Sequence, residues 1–499
     1  MKKISSKKFL YILITIFWII TMTALIMKHY VPEGLQRISY TSPVPEELYE
    51  EQWMGVYFRG QKVGYSYRKI TEIEDGYKIL DRFKVRLKVM GLDKDIETVL
   101  DAYTNRSLRL EFFTFRLSAD VNMDIKGNIE GSTLLITMKT GDVTSKKKIH
   151  LTEHPYLNLS IVPYILMKGL KLGNTVTIPV MNPIDMSQEY IKVEVLGKES
   201  LMSMGVRKHV YKLKRRFKGI ETMIWLTGKG EVLREDSPMG FSLIKEAKES
   251  AMQLTKPSID VVAKVSIPFN LSLSPDTIKY LKIRLSGVDL KELEVSGGRQ
   301  RLNGDILEIT KESLESMVEN NPPLTTHLPL SKGGKGEERG FSDEYLTDTM
   351  FIQSKDPAII ELSREIIGEQ KDLIEVTKLI HDWVYKNIKK VPMITMPLAT
   401  DVLSMMQGDC NEHTVLFVAL SRSAGIPTRI AVGLTYQDGF FYYHAWPEVY
   451  FNEWVAVDPT LGQFPADASH IRLLTGDIDR QLQLLSIIGK LKLDGIEYR

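Results

Sequence analysis

The chain opens on an apolar block with no polar interruption. Residues 9–27 carry no charge; Lys2, Lys3, Lys7 and Lys8 precede them, and Lys28 and His29 follow. As a helix the block would span about 28 Å, close to the roughly 30 Å of a bilayer's hydrocarbon core. It lacks the shorter apolar region and small-residue exit of a cleavable signal peptide, and its flanking lysines mark the cytoplasmic side. Residues 1–30 are therefore expected to be a cytoplasmic start and a transmembrane signal anchor, with the bulk of the chain outside the cytoplasm. Residues 32–50 read as a juxtamembrane linker.

From about residue 53 the pattern changes to period two. Phe83, Val85, Leu87 and Val89 alternate with Arg82, Lys84, Arg86 and Lys88, giving a strand with one apolar and one basic face. Turn signals recur at Asp75-Gly76, Gly173-Asn174 and Gly228-Lys229-Gly230. Together they predict an antiparallel β-rich domain over 51–255, a meander or half-barrel. The basic face is read as a solvated side in preference to a docking site for an anionic surface. Shorter strand patterns at 261–267, 281–285 and 306–309 predict a small β domain over 256–318. Pro322-Pro323 and Gly333-Gly334 then mark a linker over 319–345.

Helical periodicity follows. Asp356-Pro357 supplies an N-cap and a first-turn proline, and Gly368 a stop. Val376, Leu379, Ile380, Trp383 and Val384 fall on one helical stripe, which places Trp383 towards a core. Asp409 as N-cap, Glu412 three residues on, and Gly425 with Pro427 bound a helix over 409–425. Strand patterns return at 429–435, 440–451 and 454–458. Helices followed by an antiparallel sheet predict an α+β domain over 346–480, with a C-terminal extension at 481–499. The fold class is thus multidomain: an N-terminal transmembrane helix, antiparallel β-rich regions and a C-terminal α+β domain.

Composition narrows the function less than one residue does. Of 499 residues, 43% are hydrophobic and 26% charged, and the net charge of +2 argues against nucleic acid as a partner. There is one cysteine, Cys410. It can form no internal disulfide, no CxxC pair and no thiolate-rich metal site. It falls at the first position of the 409–425 helix, where free backbone N–H groups and the dipole favour a thiolate. Gly408 would let a substrate backbone come close. An inert core cysteine would sit mid-helix on the apolar stripe.

A thiolate nucleophile needs a base and a group that orients the base. His444 lies in the apolar-aromatic strand Phe440-Phe441-Tyr442-Tyr443-His444-Ala445-Trp446, and Asp458 ends the next one. Singly, each is weak: strand histidines are often structural, and aspartate before proline is a common turn former. The hairpin between them offers a geometric test. A strict two-residue loop at Asn452-Glu453 would set Pro447 opposite Asp458 and turn His444 and Asp458 to opposite faces. A three-residue loop, or a bulge, sets Trp446 opposite Asp458 and brings the two to one face. Asn-Glu is a poor type I′ pair and Pro447 cannot donate to a ladder, so an irregular hairpin is predicted.

The stretches GDCNEHTVLFVALSRSAGIPTR, HAWPEVY and WVAVDPT resemble the core of the transglutaminase-like superfamily, which is similar in catalytic logic to papain-like cysteine proteases. The resemblance covers about 350–475. With Gln463 and Asp467-Ala468-Ser469-His470 it extends to bacterial membrane-anchored members that carry an N-terminal β region. It implies Cys410 as nucleophile, His444 as base and acid, Asp458 as orienting carboxylate and the Cys410 N–H as one oxyanion donor. The second donor stays open between Gln407 and Trp383. Cys410, His413, His444 and Asp458 would also be compatible with zinc, but a lone Cys-x-x-His is weak evidence and the resemblance implies a metal-free triad. No cofactor is expected, and His470 is read as structural or lining the cleft. The expectation is a membrane-anchored, extracytoplasmic cysteine enzyme attacking amide bonds of proteins or peptides in the cell envelope, a peptidase or amidase before a transamidase. The rival is a non-catalytic envelope scaffold, with Cys410 buried from solvent or His444 turned from it.

Overall fold

The computed structural model describes residues 44, 48, 49, 51–141, 143–183, 186–238, 240–254, 259–275, 277–313, 342–395, 398–476, 480, 483, 484, 487 and 489–499. The expected anchor, most of the juxtamembrane segment and residues 314–341 of the linker region lie outside the described residues. Among those described, no helix is long and apolar enough to cross a membrane.

The period-two region builds one fifteen-stranded sheet, from strand Gln52–Phe58 to strand Phe241–Lys245. Strands adjacent in sequence are adjacent in the sheet except Val143–His150 and Tyr156–Leu157, which form its two opposite edges, and its first and last strands in sequence pair antiparallel, Val56 opposite Leu243. The short Tyr156–Leu157 strand departs from the antiparallel pattern, running parallel to Thr175–Met181. The alternation has the predicted consequence: Val85 is buried, and Phe83 and Leu87 pack beside it. The basic side is matched across the ladder. Lys84 faces Glu97 and Arg86 faces Asp95, with ion pairs at 3.2 and 2.6 Å. Much of its charge is thus answered within the sheet.

A cluster of this sheet, including Phe113, Ile125, Leu134 and Ile136, also takes up Met350, Phe351 and Leu398 from the C-terminal half. At the sheet's rim Asp120 accepts from Lys94 Nζ (2.8 Å) and from the Ile394 N–H (2.8 Å). The β region is therefore fastened to the loop that leads towards Cys410.

The segment expected as a small β domain differs from its pattern in two ways. Residues 261–265 form a short helix, Val261–Val265, because the Asp260 side chain caps the Ala263 N–H. Only Ile267–Pro268 is strand, and it pairs with the strand Phe440–Tyr450, Ile267 opposite Phe441. Tyr280–Ser286 and Ile306–Thr310 are strands as expected, in a four-stranded sheet completed by Gln300–Asn303 and by Lys492–Tyr498. Leu281, Ile283, Leu307, Ile309 and Leu493 join one core with Val376, Leu416, Phe417 and Val449. The expected small domain, α+β domain and C-terminal extension share that core.

In the α+β part, helices Pro357–Ile367, Leu373–Asn387, Ala399–Met405 and Cys410–Ser423 precede strands Thr428–Gln437, Phe440–Tyr450, Trp454–Ala456 and Ile471–Thr475. The Cys410–Ser423 helix is the central element, with Leu416, Phe417, Val418, Ala419 and Leu420 fully buried. The Leu373–Asn387 helix buries Val376, Thr377, Ile380, His381 and Val384, while Leu379 is 40% exposed and Trp383 half-buried. The buried face is turned from the expected stripe because His381 has an internal partner, described below.

Candidate active site

Asp409 caps the Cys410–Ser423 helix as the capping-box pattern demands. Its side chain accepts the Asn411 N–H (2.9 Å), and Glu412 Oε2 accepts the Asp409 N–H (2.9 Å). Glu412 also accepts a hydrogen bond from the Thr395 hydroxyl. Cys410 is the first residue of the helix and half-buried. Gly408 has a different reason from the one expected. A Cβ there would lie 2.1 Å from Glu412 Cβ, so the glycine makes room for the capping glutamate.

The hairpin carrying the other two residues is irregular, as its sequence predicts. Glu448 pairs with Ala456, Val449 with Val455 and Tyr450 with Trp454, which leaves the three-residue loop Phe451, Asn452 and Glu453. Asn452 takes a left-handed φ of 66°, a conformation asparagine tolerates. The ladder continues as Val457 N–H donates to the Pro447 carbonyl (3.0 Å), so His444 and Asp458 fall on one face. His444 Nε2–H donates to Asp458 Oδ2 at 2.7 Å, and the His444 ring and the Cys410 thiol are close enough for each to shift the other's protonation. Thr414 Oγ1, one turn along the helix, donates to the Ala445 carbonyl (3.1 Å) and holds the helix start against this strand. All three expected residues meet.

Asp458 is held on every side. Oδ1 accepts the N–H groups of Thr460 (2.7 Å) and Leu461 (2.9 Å), the arrangement of an Asx turn. Oδ2 accepts from His444 and, at 2.9 Å, from His470 Nε2–H. Its own carbonyl accepts from His381 Nε2–H at 3.1 Å. Behind His470, Asp467 Oδ1 lies 3.4 Å from Nδ1 and is itself bound by Ser469 Oγ (2.6 Å), while Gln463 Nε2 holds Oδ2 (3.0 Å). His381, Asp467 and the hydrogen bond to His470 were not legible beforehand. His381 sits in an amphipathic helix beside Asp382, and Asp467 and His470 lie in a stretch without periodicity.

The electrostatics follow from burial and these contacts. Burial would raise the Asp458 carboxyl, but the His444 charge and the two imidazole hydrogen bonds outweigh it and hold the group well below the usual carboxylate range. Burial pulls His444 down, yet the charges of Asp458 and Cys410 push it up to about 9. His470 is likewise lowered by burial and raised to about 9 by its bonds to Asp458 and Asp467. The thiol departs from the expected low value: burial, then the Asp409 carboxylate, push Cys410 up, and His444 opposes them without prevailing. Asp409 is itself held well above its usual range, by burial and then by Glu412. A protonated Asp409 does not oppose a thiolate, so the second of those causes weakens itself.

His413 does not join the site. Its ring nitrogens lie 2.6 Å from the Asp409 carbonyl and 3.2 Å from that of Ile388, which separates it from the zinc set weighed above. Among the described residues His444, Asp458 and His470 bring their donor atoms within 4.8 Å of one another. The 2.7 and 2.9 Å separations there are hydrogen bonds that occupy the same lone pairs, so we assign no metal ligand. Of the two oxyanion candidates, Gln407 and Trp383 are both half-buried.

A buried helix that offers a thiol at its start to an imidazole on the adjoining sheet defines a papain-like α+β class of domain. Residues 360–459 match the family model of the transglutaminase-like superfamily, and the chain carries a domain of that superfamily. Residues 54–243 match a second family, described as a protein of unknown function (DUF3108). An uncharacterized protein of Haemophilus influenzae is 31% identical over 96 residues, covering 18% of this chain; the match spans about a quarter (26%) of that relative's length. Among solved structures, one named "Putative Cysteine Protease" from Cytophaga hutchinsonii is 16% identical, with 47% of this chain and 83% of that chain covered and a TM-score of 0.27. A β-barrel-like protein of the DUF1849 domain from Brucella abortus is 7% identical over 39% of this chain and 94% of that one, with a TM-score of 0.32.

Proposed function

We propose that the protein is a membrane-anchored, extracytoplasmic cysteine enzyme that cleaves amide bonds of proteins or peptides in the cell envelope. The observation that carries this reading is the convergence of the Cys410 thiol, the His444 ring it interacts with, and the Asp458 carboxylate that holds that ring at 2.7 Å. The anchor rests on the uncharged block at 9–27 and its flanking lysines.

In this mechanism His444 takes the thiol proton as Cys410 Sγ attacks the amide carbonyl carbon. The tetrahedral oxyanion is met by the Cys410 N–H, one of the free donors of the helix start. Collapse breaks the C–N bond, His444 returns the proton to the leaving amine, and the acyl group stays on sulfur as a thioester. Water then adds with His444 as base, the acid departs and the thiol is restored. An amine in place of water would give transamidation; hydrolysis is the simpler course because no residue of the site argues for keeping water out.

The scaffold reading requires a thiol shut from solvent or a histidine turned away. Half-burial of Cys410 and its electrostatic interaction with His444 favour the enzyme. Because Cys410 is the chain's single thiol, labelling by a small thiol reagent reports this site alone. We expect His444→Ala to slow labelling near neutral pH by about tenfold or more, in the range of a lost general base. Incubation with envelope peptides should give an acyl adduct on Cys410 by mass, absent in Cys410→Ala. Equal labelling of both forms, with no adduct, would leave only the scaffold.

A further inference from the structure

The triad accounts for one of the two imidazoles on Asp458 Oδ2 and is silent on the other. His470 is fully buried, as are Asp458 and Asp467 on either side of it. Its Nε2–H reaches the same oxygen that His444 uses, at 2.9 Å against 2.7 Å. Trp446 closes the remaining side: its ring lies 5.1 Å from that of His470 edge-on, and 6.1 Å from that of His444 nearly parallel. His470 and the two carboxylates on either side of it thus stand shut off from bulk solvent. A carboxylate oxygen shared by two imidazoles gives each less than it would give one alone, and its rotation is locked by the pair.

We propose that His470 is a positioning residue for Asp458, acting through the shared Oδ2 to fix the carboxylate and to set how tightly the Cys410–His444 pair holds its protons. This rests on the triad reading above. Asp467 is the counterpart that keeps the second imidazole charged, with a carboxylate beyond each ring nitrogen. The other ionisable groups around His470 are accounted for. His444 faces it across Asp458, with Cys410 beyond. Arg299 binds the Asp467 carbonyl and pairs with Glu312 at 3.3 Å, and His381 holds the far side of Asp458 beside Asp382. Among the described residues, His470 alone joins His444 in donating to Asp458 Oδ2.

The sign follows from charge. Replacing a cation beside the pair by a neutral donor makes every proton of the pair harder to remove, whichever group loses its proton first. The test is the pH dependence of iodoacetamide alkylation of the full chain, comparing the unaltered protein with His470→Gln, His470→Leu and His444→Ala, each checked for folding by near-ultraviolet circular dichroism. We expect the midpoint to move up by about half a unit to one unit in His470→Gln and in His470→Leu, and to move up in His444→Ala as well, where burial and Asp409 act on the thiol without the opposing imidazole. A His470→Gln profile that overlays the unaltered protein, while His444→Ala differs, overturns the proposal and leaves the triad standing. Identical profiles for the unaltered protein and His444→Ala overturn the triad itself. Should the His470 variants fail to fold, nitrogen-15 shifts of the imidazoles in the unaltered chain decide. Two rings that keep their protons well above the ordinary value support the shared carboxylate, and only one doing so overturns it.

Discussion

Asp458 shows how far three residues can be read from sequence and where that reading stops. Cys410, His444 and Asp458 were legible because each sits at a position with a local signature: a helix start, an aromatic strand and a turn-forming aspartate. Their energetics were not legible. A helix-start argument favours a thiolate, yet burial raises the Cys410 thiol, and burial depends on packing from remote segments. His444 and His470, both held near 9, yield a prediction for stability. A folded-state value above the ordinary 6.5 means that protonation favours the fold. That contribution is complete below about pH 6.5 and lost as pH rises through 9. Asp458 works in the opposite sense: depressed when folded, it contributes above about pH 4 and loses that contribution in acid. The thermal midpoint should therefore fall between pH 7 and 9.5, and fall less in His470→Gln, which has only one such imidazole. An alkaline loss of the same size in that variant would rule out His470 as a source.

Among the elements, capping chemistry was the most readable part and side-chain crowding the least. The capping box at Asp409 and Glu412, the Asp356-Pro357 start and the three-residue hairpin loop all follow from residue type and spacing. The short Val261–Val265 helix was misread as strand because its β-branched valines outweighed the Asp260 cap. Gly408 belongs to the same lesson, since its function is visible only when Glu412 folds back over it. A methyl group at 408 would lie 2.1 Å from Glu412 Cβ and 2.5 Å from Cγ. Glu412 would have to leave, releasing both the Asp409 N–H and the Thr395 hydroxyl. Gly408→Ala should cost about 1–3 kcal/mol for overpacking and about 1 more for the lost cap. Urea unfolding measures it, and a cost under about 0.5 kcal/mol would mean that the box is slack and the glycine has some other reason.

For the whole molecule, the pairing that no local pattern announces joins the two ends of the C-terminal half. Lys492–Tyr498 lies beside Tyr280–Ser286, with Leu285 opposite Leu493, and the same core runs on to the helix of Cys410. Sequence periodicity finds strands but not partners so distant along the chain, which is why this strand read as a mere extension. Its removal tests the joined core. A chain ending at residue 491 would leave Tyr280–Ser286 as an unpaired edge and withdraw Leu493, whose full burial is worth about 1.5–3 kcal/mol. With about seven strand residues losing their ladder as well, we expect the thermal midpoint to drop by at least about 5 °C. Cys410 should become more rapidly alkylated as the core around its helix loosens. The fifteen-stranded sheet buries clusters of its own, around Val56 and around Trp225, and should keep its β signal by circular dichroism at that temperature. A truncated chain that melts and alkylates as the full chain does would show the last strand to be an appendage. The core around the Cys410 helix would then end at the strand Ile471–Thr475.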